Sequence, residues 1–215
     1  VPSRRKKQLS QAWEAFKPHN KLKICIGFID GSNQYVDKPG IYQSVLYNGH
    51  KRAHLVKWQG VMLPNGIMSS LHGPVAGRFS DSTMLARSSV LRELEELSTR
   101  MGWHIALYGD SAYPRGPHLL RGLKRHMIHQ QLQQDLQTAM NQSRTSVEWG
   151  FGAIEAQYPW MTAMLQKAKL SPIAVHWQTA ALLTNCYACL SGGNVVSDFF
   201  GLRPPTLAQY LRDDE

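Results

Sequence analysis

The chain has 215 residues, of which 43% are hydrophobic and 18% charged, as in an ordinary globular domain. No run of about 18 apolar residues occurs and no apolar stretch follows the basic start, so we expect neither a membrane span nor a signal peptide. A net charge of +9 favours a polyanionic partner such as nucleic acid, although membrane surfaces also attract basic proteins.

Composition divides the chain into three predicted parts. Residues 1–23 form a polar, basic segment with a helical pattern at 8–16, and the sequence begins with Val, as a fragment of a longer chain would. Its basic cluster at residues 4–7 fits a nuclear address or an arm on a DNA backbone. Residues 24–190 are the predicted main domain, and 191–215 a C-terminal extension ending in an acidic tail.

The first strong element is an apolar, β-branched run at residues 21–29. Such a run predicts a buried strand, and the polar residues 30–33 predict a turn that ends it. Asp30 is therefore expected at the carboxyl end of a central strand.

A hairpin and a further strand are predicted next. Asn48-Gly49 is a strong hairpin signal and lies between two predicted strands within residues 42–59. A turn at 64–66 leads into another predicted strand at 67–71.

The middle of the chain predicts a helix followed by a strand. Ser80 or Asp81 can cap the helix and Gly102 ends it. The apolar strand at 103–108 is followed by Asp110, which repeats the position expected for Asp30.

The last third is predicted to be mainly helical. Residues 119–125 suggest a short helix or connector, and residues 130–157 a long helix with Glu148 beside its apolar stripe. Two further helices are predicted at 173–190 and 207–211. The first carries a C-x-x-C pair, for which packing is favoured over a metal or redox site. Three tryptophans, namely Trp58 in the hairpin and Trp149 and Trp160 in this part, are expected to be core residues and not platforms for base stacking.

Three acids, Asp30, Asp110 and Glu148, converge if the two strands are neighbours in one sheet. Converging carboxylates repel one another and need cations, and hard divalent ions prefer oxygen ligands. From spacing alone, each acid also has a plain interpretation: Asp30 and Asp110 as turn residues, and Glu148 as an exposed position paired with Arg144.

Several stretches together resemble the PIF/Harbinger class of DDE transposases and their domesticated nuclease relatives, in forms close to those of fungi. They occur in the order of that family: FIDGS (28–32), YNGHKRAHLVKWQ (47–59), PNG (64–66), GPVAGRFSDS (73–82), YGDSAYP (108–114), RTSVEWGFG (144–152), LTN (183–185) and PPTLAQY (204–210). The sequence departs from the family pattern at Ser32, where Thr is usual, and at Phe79-Ser80, where a basic residue and His are common.

The resemblance implies an α/β, RNase H-like fold with a mixed sheet flanked by helices. It assigns Asp30, Asp110 and Glu148 as catalytic and metal-binding acids, with Mg²⁺ or Mn²⁺, as two ions, as the cofactor. Asp81, a rival for the second acid, fits a supporting or structural role better, because it precedes a helix and follows no buried strand. The basic residues expected to contact DNA are Lys51, Arg52, Arg78 and Arg144.

The resulting hypothesis is a nuclear endonuclease and transposase that cleaves DNA phosphodiesters and transfers strands. The alternative is a domesticated DNA-binding or scaffolding protein without cleavage activity, and a ribonuclease on the same fold fits the motifs less well. The resemblance further implies a separate Myb-like DNA-binding partner, and transposition, which needs two active sites, implies a homodimer.

Overall fold

The computed structural model describes residues 24–41, 43–122, 131–161 and 172–212, with the side chains of 131–137 left out. The predicted basic cluster at 4–7 and helix at 8–16 lie outside these ranges. No helix within them is long and apolar enough to cross a membrane.

The strands are β1 Cys25–Tyr35, β2 Tyr47–Asn48, β3 Ala53–Met62, β4 Met68–Ala76, β5 Ala106–Gly109 and β6 Leu119–Arg121. The helices are α1 Gln43–Leu46, α2 Asp81–Arg87, α3 Val90–Met101, α4 Gln131–Gln157, α5 Ile173–Ser191, α6 Val195–Phe200 and α7 Leu207–Leu211.

The strands form one mixed sheet with β1 near its centre. β1 pairs with β3 antiparallel on one side and with β5 parallel on the other, and β5 pairs with β6 in parallel. Beyond β3 lie β4 and, at the start of β3, the short β2. The sheet therefore combines an antiparallel half with a parallel half, as the predicted α/β class requires.

Helices cover both faces of this sheet because alternate strand residues are apolar on both sides. On one face, Ile29 and Val61 pack with Leu85 of α2 and Leu94 of α3. The other face packs against α4 and α5 through the residues Phe28, Trp58, Met62, Val147, Phe151, Ile154 and Trp177. The site described below lies on the face covered by α4.

The prediction that β1 ends at a turn after residue 29 is wrong. The strand continues through Asp30 to Tyr35, because β3 pairs with it over that whole length. Only the parallel pairing with β5 stops early, with Phe28 opposite Tyr108 as its last pair. Asp30 therefore lies within β1, just beyond the part that is paired on both sides.

Some local predictions also need correction. The segment before the Asn48-Gly49 turn contains the helix α1 and only a two-residue strand. Residues 119–121 form strand β6, not a helix, because they pair with β5. The single helix predicted after Ser80 is two helices that meet at Ser88 and Ser89.

Other predictions are confirmed. Ser80 caps α2, with its side chain accepting a hydrogen bond from the Thr83 N–H, and Gly102 ends α3 in the left-handed conformation. The predicted helices at 130–157, 173–190 and 207–211 correspond to α4, α5 and α7. Trp58 is fully buried, but Trp160 is 47% exposed and not a core residue.

The C-terminal helices pack against the sheet. Asn185 of α5 accepts from the Met68 N–H and donates to the Met68 carbonyl, so it occupies the hydrogen-bonding groups of an edge strand. Phe200 of α6 stacks on Phe28 of β1 at 5.6 Å. The free thiol of Cys189 is buried beside Ile67 and Tyr210, as its predicted packing role requires.

Candidate functional site

Asp30 and Asp110 are brought together by two neighbouring parallel strands. Phe28 of β1 lies opposite Tyr108 of β5, and both side chains face the α4 side of the sheet. An aspartate follows each of these residues by two positions: Asp30 within β1, on the same face as Phe28 because strand residues alternate, and Asp110 directly after the end of β5 at Gly109. The two carboxylates are close enough to interact, since the Asp110 charge raises the pKa of Asp30.

Both aspartates are oriented by the backbone. Oδ1 of Asp30 accepts the Gly31 N–H at 2.8 Å, and Oδ1 of Asp110 accepts the Ala112 N–H at 2.8 Å. These bonds fix the carboxylate planes before any ligand binds, as a pre-organised site requires.

Helix α4 brings Glu148 to the same edge. Val147, Phe151 and Ile154 are buried and hold the helix against the sheet. Glu148 follows Val147 and projects about 100° around the helix from it, so its side chain is 59% exposed. Glu148 is therefore at the rim of the site, while Asp30 is inside it.

Arg144 connects the helix to β1. Its Nη1 forms an ion pair with Oδ2 of Asp30 and lies 3.6 Å from Oε1 of Glu148 one helical turn away. The Arg144–Glu148 pair suggested by the sequence is thus present, and the bond to Asp30 agrees with the suggestion that Arg144 could orient the acids.

The pKa of Asp30 depends on all of these groups. Burial raises the pKa of Asp30 to about 6, and the charges of Asp110 and Glu148 raise it too, while Arg144 and the Gly31 N–H oppose the rise. The other two acids therefore act on the Asp30 carboxylate, and one guanidinium opposes their effect.

The donor set fits a hard divalent cation, because all three acids offer carboxylate oxygens. The side-chain arrangement does not yet make a complete ligand set. In the part of the chain that the structure describes, no three Asp, Glu, His or Cys side chains are close enough to hold one ion. The guanidinium of Arg144 contacts both Asp30 and Glu148.

Beside these acids is a polar cavity of about 520 Å³. It lies between the end of β5 and the α4 helix, and Asp110 and Arg144 both border it. The other described residues that line it are Ser111, Gly122, Asn141, Gln142 and Thr145. A charged substrate thus has a polar, open space next to Asp110.

Asp81 lies on the other face of the sheet from Asp30. A Cβ on Gly31, whose position faces away from Asp30, would be 3.0 Å from Oδ1 of Asp81. The same oxygen pairs with Nζ of Lys57 at 2.5 Å, and Lys57 also donates to the Phe79 carbonyl. This placement supports the supporting or structural role expected for Asp81.

The basic residues expected to contact DNA do not form one cluster with the acids. Lys51 and Arg52 are exposed in the turn between β2 and β3. Arg78 is exposed and lies over the Phe79 ring at 5.4 Å. Only Arg144 of the four reaches an acid of the site, so the DNA contacts of the other three stay predictions.

Tyr113 is a buried neighbour of the site that the sequence did not single out, although it stands three positions after Asp110, and it packs in the core on the α2 and α3 side of the sheet. Its side chain is fully buried, and among the described residues none hydrogen-bonds to its hydroxyl. Burial raises the pKa of Tyr113 above its usual range, and Asp81, Asp30 and Asp110 add to the rise. The phenol therefore lies within the electrostatic reach of acids on both faces of the sheet.

Comparison with known proteins supplies a family. Residues 29–185 match the model of the DDE superfamily endonucleases. Comparison with curated proteins and with solved structures finds no match for this chain. The endonuclease domain of this family is RNase H-like, which agrees with the mixed sheet flanked by helices and confirms the predicted fold class. Because the match covers well over half of the 215 residues, the chain belongs to the DDE superfamily endonucleases.

Proposed function

We propose that the protein is a divalent-metal-dependent DNA endonuclease and transposase with Asp30, Asp110 and Glu148 as its catalytic acids. The observation that supports this proposal most is that Asp30 and Asp110 each follow, by two residues, the last pair of the neighbouring parallel strands β1 and β5. Helix α4 adds Glu148 at the rim of the same site. All three acids lie inside the stretch that matches the endonuclease family.

In this proposal Asp30, Asp110 and Glu148 hold Mg²⁺ or Mn²⁺, as two ions. Ions held by these residues would supply a Lewis acid for the leaving 3′ oxygen and would lower the pKa of the attacking water. The backbone bonds from Gly31 and Ala112 keep the two aspartates oriented, and the exposed Glu148 closes the set from the helix side. The polar cavity beside Asp110 gives a DNA phosphate access to these acids.

The test is plasmid nicking in Mg²⁺ by the wild type and by Asp30→Asn, Asp110→Asn and Glu148→Gln. Each change removes one ligand charge, so we expect nicking to fall at least about a hundredfold. Glu95→Gln is the matched control, because Glu95 is an exposed helical acid on α3 and should keep full activity. Nicking that survives both aspartate changes would disprove the assignment.

The finer features of the proposal are supported by the motif resemblance. We place the protein in the PIF/Harbinger class, acting in the nucleus as a homodimer together with a separate Myb-like DNA-binding protein. Terminal-repeat DNA is then the substrate, and strand transfer from a freed 3′ hydroxyl follows cleavage. A strand-transfer assay on terminal-repeat DNA, with and without such a partner, tests the substrate, the strand transfer and the need for the partner.

A second candidate function is DNA binding or scaffolding without cleavage. It is favoured by one observation: the described residues present no ready set of three metal ligands, and Arg144 stands between two of the acids. Tight DNA binding with no cleavage of any substrate in Mg²⁺ or Mn²⁺ is the outcome that would establish it.

A further inference from the structure

We propose that Arg144 is the internal counterion of the candidate metal site: its guanidinium holds Asp30 and Glu148 in the metal-free protein and leaves them when divalent ions bind. This inference rests on the proposed function, since it concerns the same three acids. It assigns Arg144 as a positioning residue that sets how tightly the site takes up metal.

The contacts of Arg144 support this role. The guanidinium pairs with Oδ2 of Asp30, the oxygen that does not accept the Gly31 N–H, and lies 3.6 Å from Oε1 of Glu148. The Arg144 side chain is 22% exposed and that of Asp30 only 14%, so solvent screens this pair weakly. Arg144 is thus the cation that neutralises a buried acid of the site.

A divalent ion and the guanidinium compete for the same oxygens. A metal bound to Asp30 and Glu148 would lie close to the Arg144 charge, and like charges at that distance repel. Each cation therefore weakens the binding of the other, and the coupling is reciprocal. While the ion pair is in place, Arg144 occupies Oδ2 of Asp30, and a metal must displace it to use that oxygen.

A cavity beside Arg144 can accept its side chain after a metal displaces it. Arg144 borders the cavity of about 520 Å³ that Asp110 also lines, so its guanidinium can turn away from Asp30 without entering the apolar core. Movement of one side chain, with no movement of α4, is then enough to open the site to metal.

The test is calorimetric titration of Mn²⁺ into the metal-free full chain and its Arg144 variants. Arg144→Gln removes the competing charge and should bind Mn²⁺ roughly fivefold tighter than the wild type, the size of one interaction between partly exposed charges. Arg144→Lys keeps the charge and should stay near the wild-type affinity. Arg92→Gln is the matched control, because Arg92 faces Glu96 in the same i,i+4 arrangement on α3, away from the acids.

Thermal unfolding gives a second readout without catalysis. In EDTA, Arg144→Gln should melt a few degrees below the wild type because Asp30 has lost its partner. Adding Mn²⁺ should raise its melting temperature by more than it raises that of the wild type. A purely structural arginine predicts the opposite, namely lower stability together with weaker metal binding.

The outcomes separate this inference from the proposed function. Mn²⁺ binding that Asp30→Asn abolishes, but that Arg144→Gln leaves unchanged or weakens, overturns the counterion role and keeps the metal site. An Arg144→Lys variant that binds as tightly as Arg144→Gln also overturns it, since charge is then not the cause. Measurable Mn²⁺ binding by Arg144→Gln, with none by the wild type or by Arg144→Lys, supports the inference. If neither the wild type nor any Arg144 variant binds Mn²⁺, both proposals are overturned.

Discussion

Among the basic residues, position in the fold separates those that meet solvent from those that support the site. Lys51 and Arg52 are exposed at a turn, whereas Lys57, five residues later on β3, is only 7% exposed. A lysine seldom lies so deep without a partner, and Asp81 is the partner here. The pair fixes the start of α2 against the sheet behind Asp30.

Replacing Lys57 with Met should lower the free energy of unfolding by about 2–3 kcal/mol. The methionine fills a similar volume, but Asp81 loses its cation and the Phe79 carbonyl loses a donor. Urea unfolding measures the change, and Lys38→Met, at an exposed position, should stay within about 0.5 kcal/mol of the wild type. A Lys57→Met protein as stable as this control would show that the pair contributes nothing.

At the scale of whole elements, the close packing of α4 against β3 decides where Glu148 lies. Gly60 of β3 faces the helix, and a Cβ there would be 2.8 Å from Cζ of Phe151. Phe151 is buried and packs three residues after Glu148 on α4. Glycine at position 60 therefore lets the helix approach closely enough to bring its acid to the site.

Gly60→Ala should lower the free energy of unfolding by about 1–3 kcal/mol, because Phe151 or the helix must shift to avoid the added methyl group. Nicking should fall at temperatures where the variant is still folded, since the shift moves Glu148. Denaturant unfolding and the nicking assay together measure both effects.

Helix α4 itself contains a glycine at which the same change to alanine should have the opposite effect on stability, and this serves as the control. A Cβ on Gly152 meets nothing within 4 Å, so Gly152→Ala should stabilise the protein by up to about 1 kcal/mol through helix propensity. Equal effects of the two alanines would contradict the close-approach argument.

Element prediction succeeded where local signals suffice and failed where a partner strand decides. The apolar stripe of α4 and the glycine that ends α3 are local features, and both elements were predicted. Residues 119–121 carry no strong strand pattern and become β6 only because β5 lies beside them. The extension of β1 past Asp30 likewise comes from β3, which is far from it in the sequence.

For the molecule as a whole, the surplus of nine positive charges predicts salt-dependent DNA binding. If Lys51 and Arg52 contact phosphates, the double change to Ala should reduce the slope of log K against log salt by about 2. Filter binding or fluorescence anisotropy at several salt concentrations measures this slope. Lys38→Ala removes a charge elsewhere and should leave it nearly unchanged, and an unaltered slope in the double variant would exclude these two contacts.

The described C-terminal residues pack against the predicted main domain. The predicted extension is residues 191–215, and its described residues, 191–212, contact β1 through Phe200 and the turn before β4 through the Asn194 side chain, which donates to the Gly66 carbonyl. Tyr210 is buried and accepts a hydrogen bond from Asn185. The boundary predicted near residue 190 stays a prediction, but the described residues on its two sides pack together.

The sequence alone determined the fold class and most helices, because periodicity, caps and family motifs are local features of the chain, and the same motifs lead us to propose the three acids. Only the tertiary structure decided that β1 runs through Asp30, that Lys57 is buried against Asp81, and that Arg144 pairs with Asp30 across more than a hundred residues. Each of these depends on which strands and helices become neighbours, and neighbours of that kind are set by packing of the whole chain.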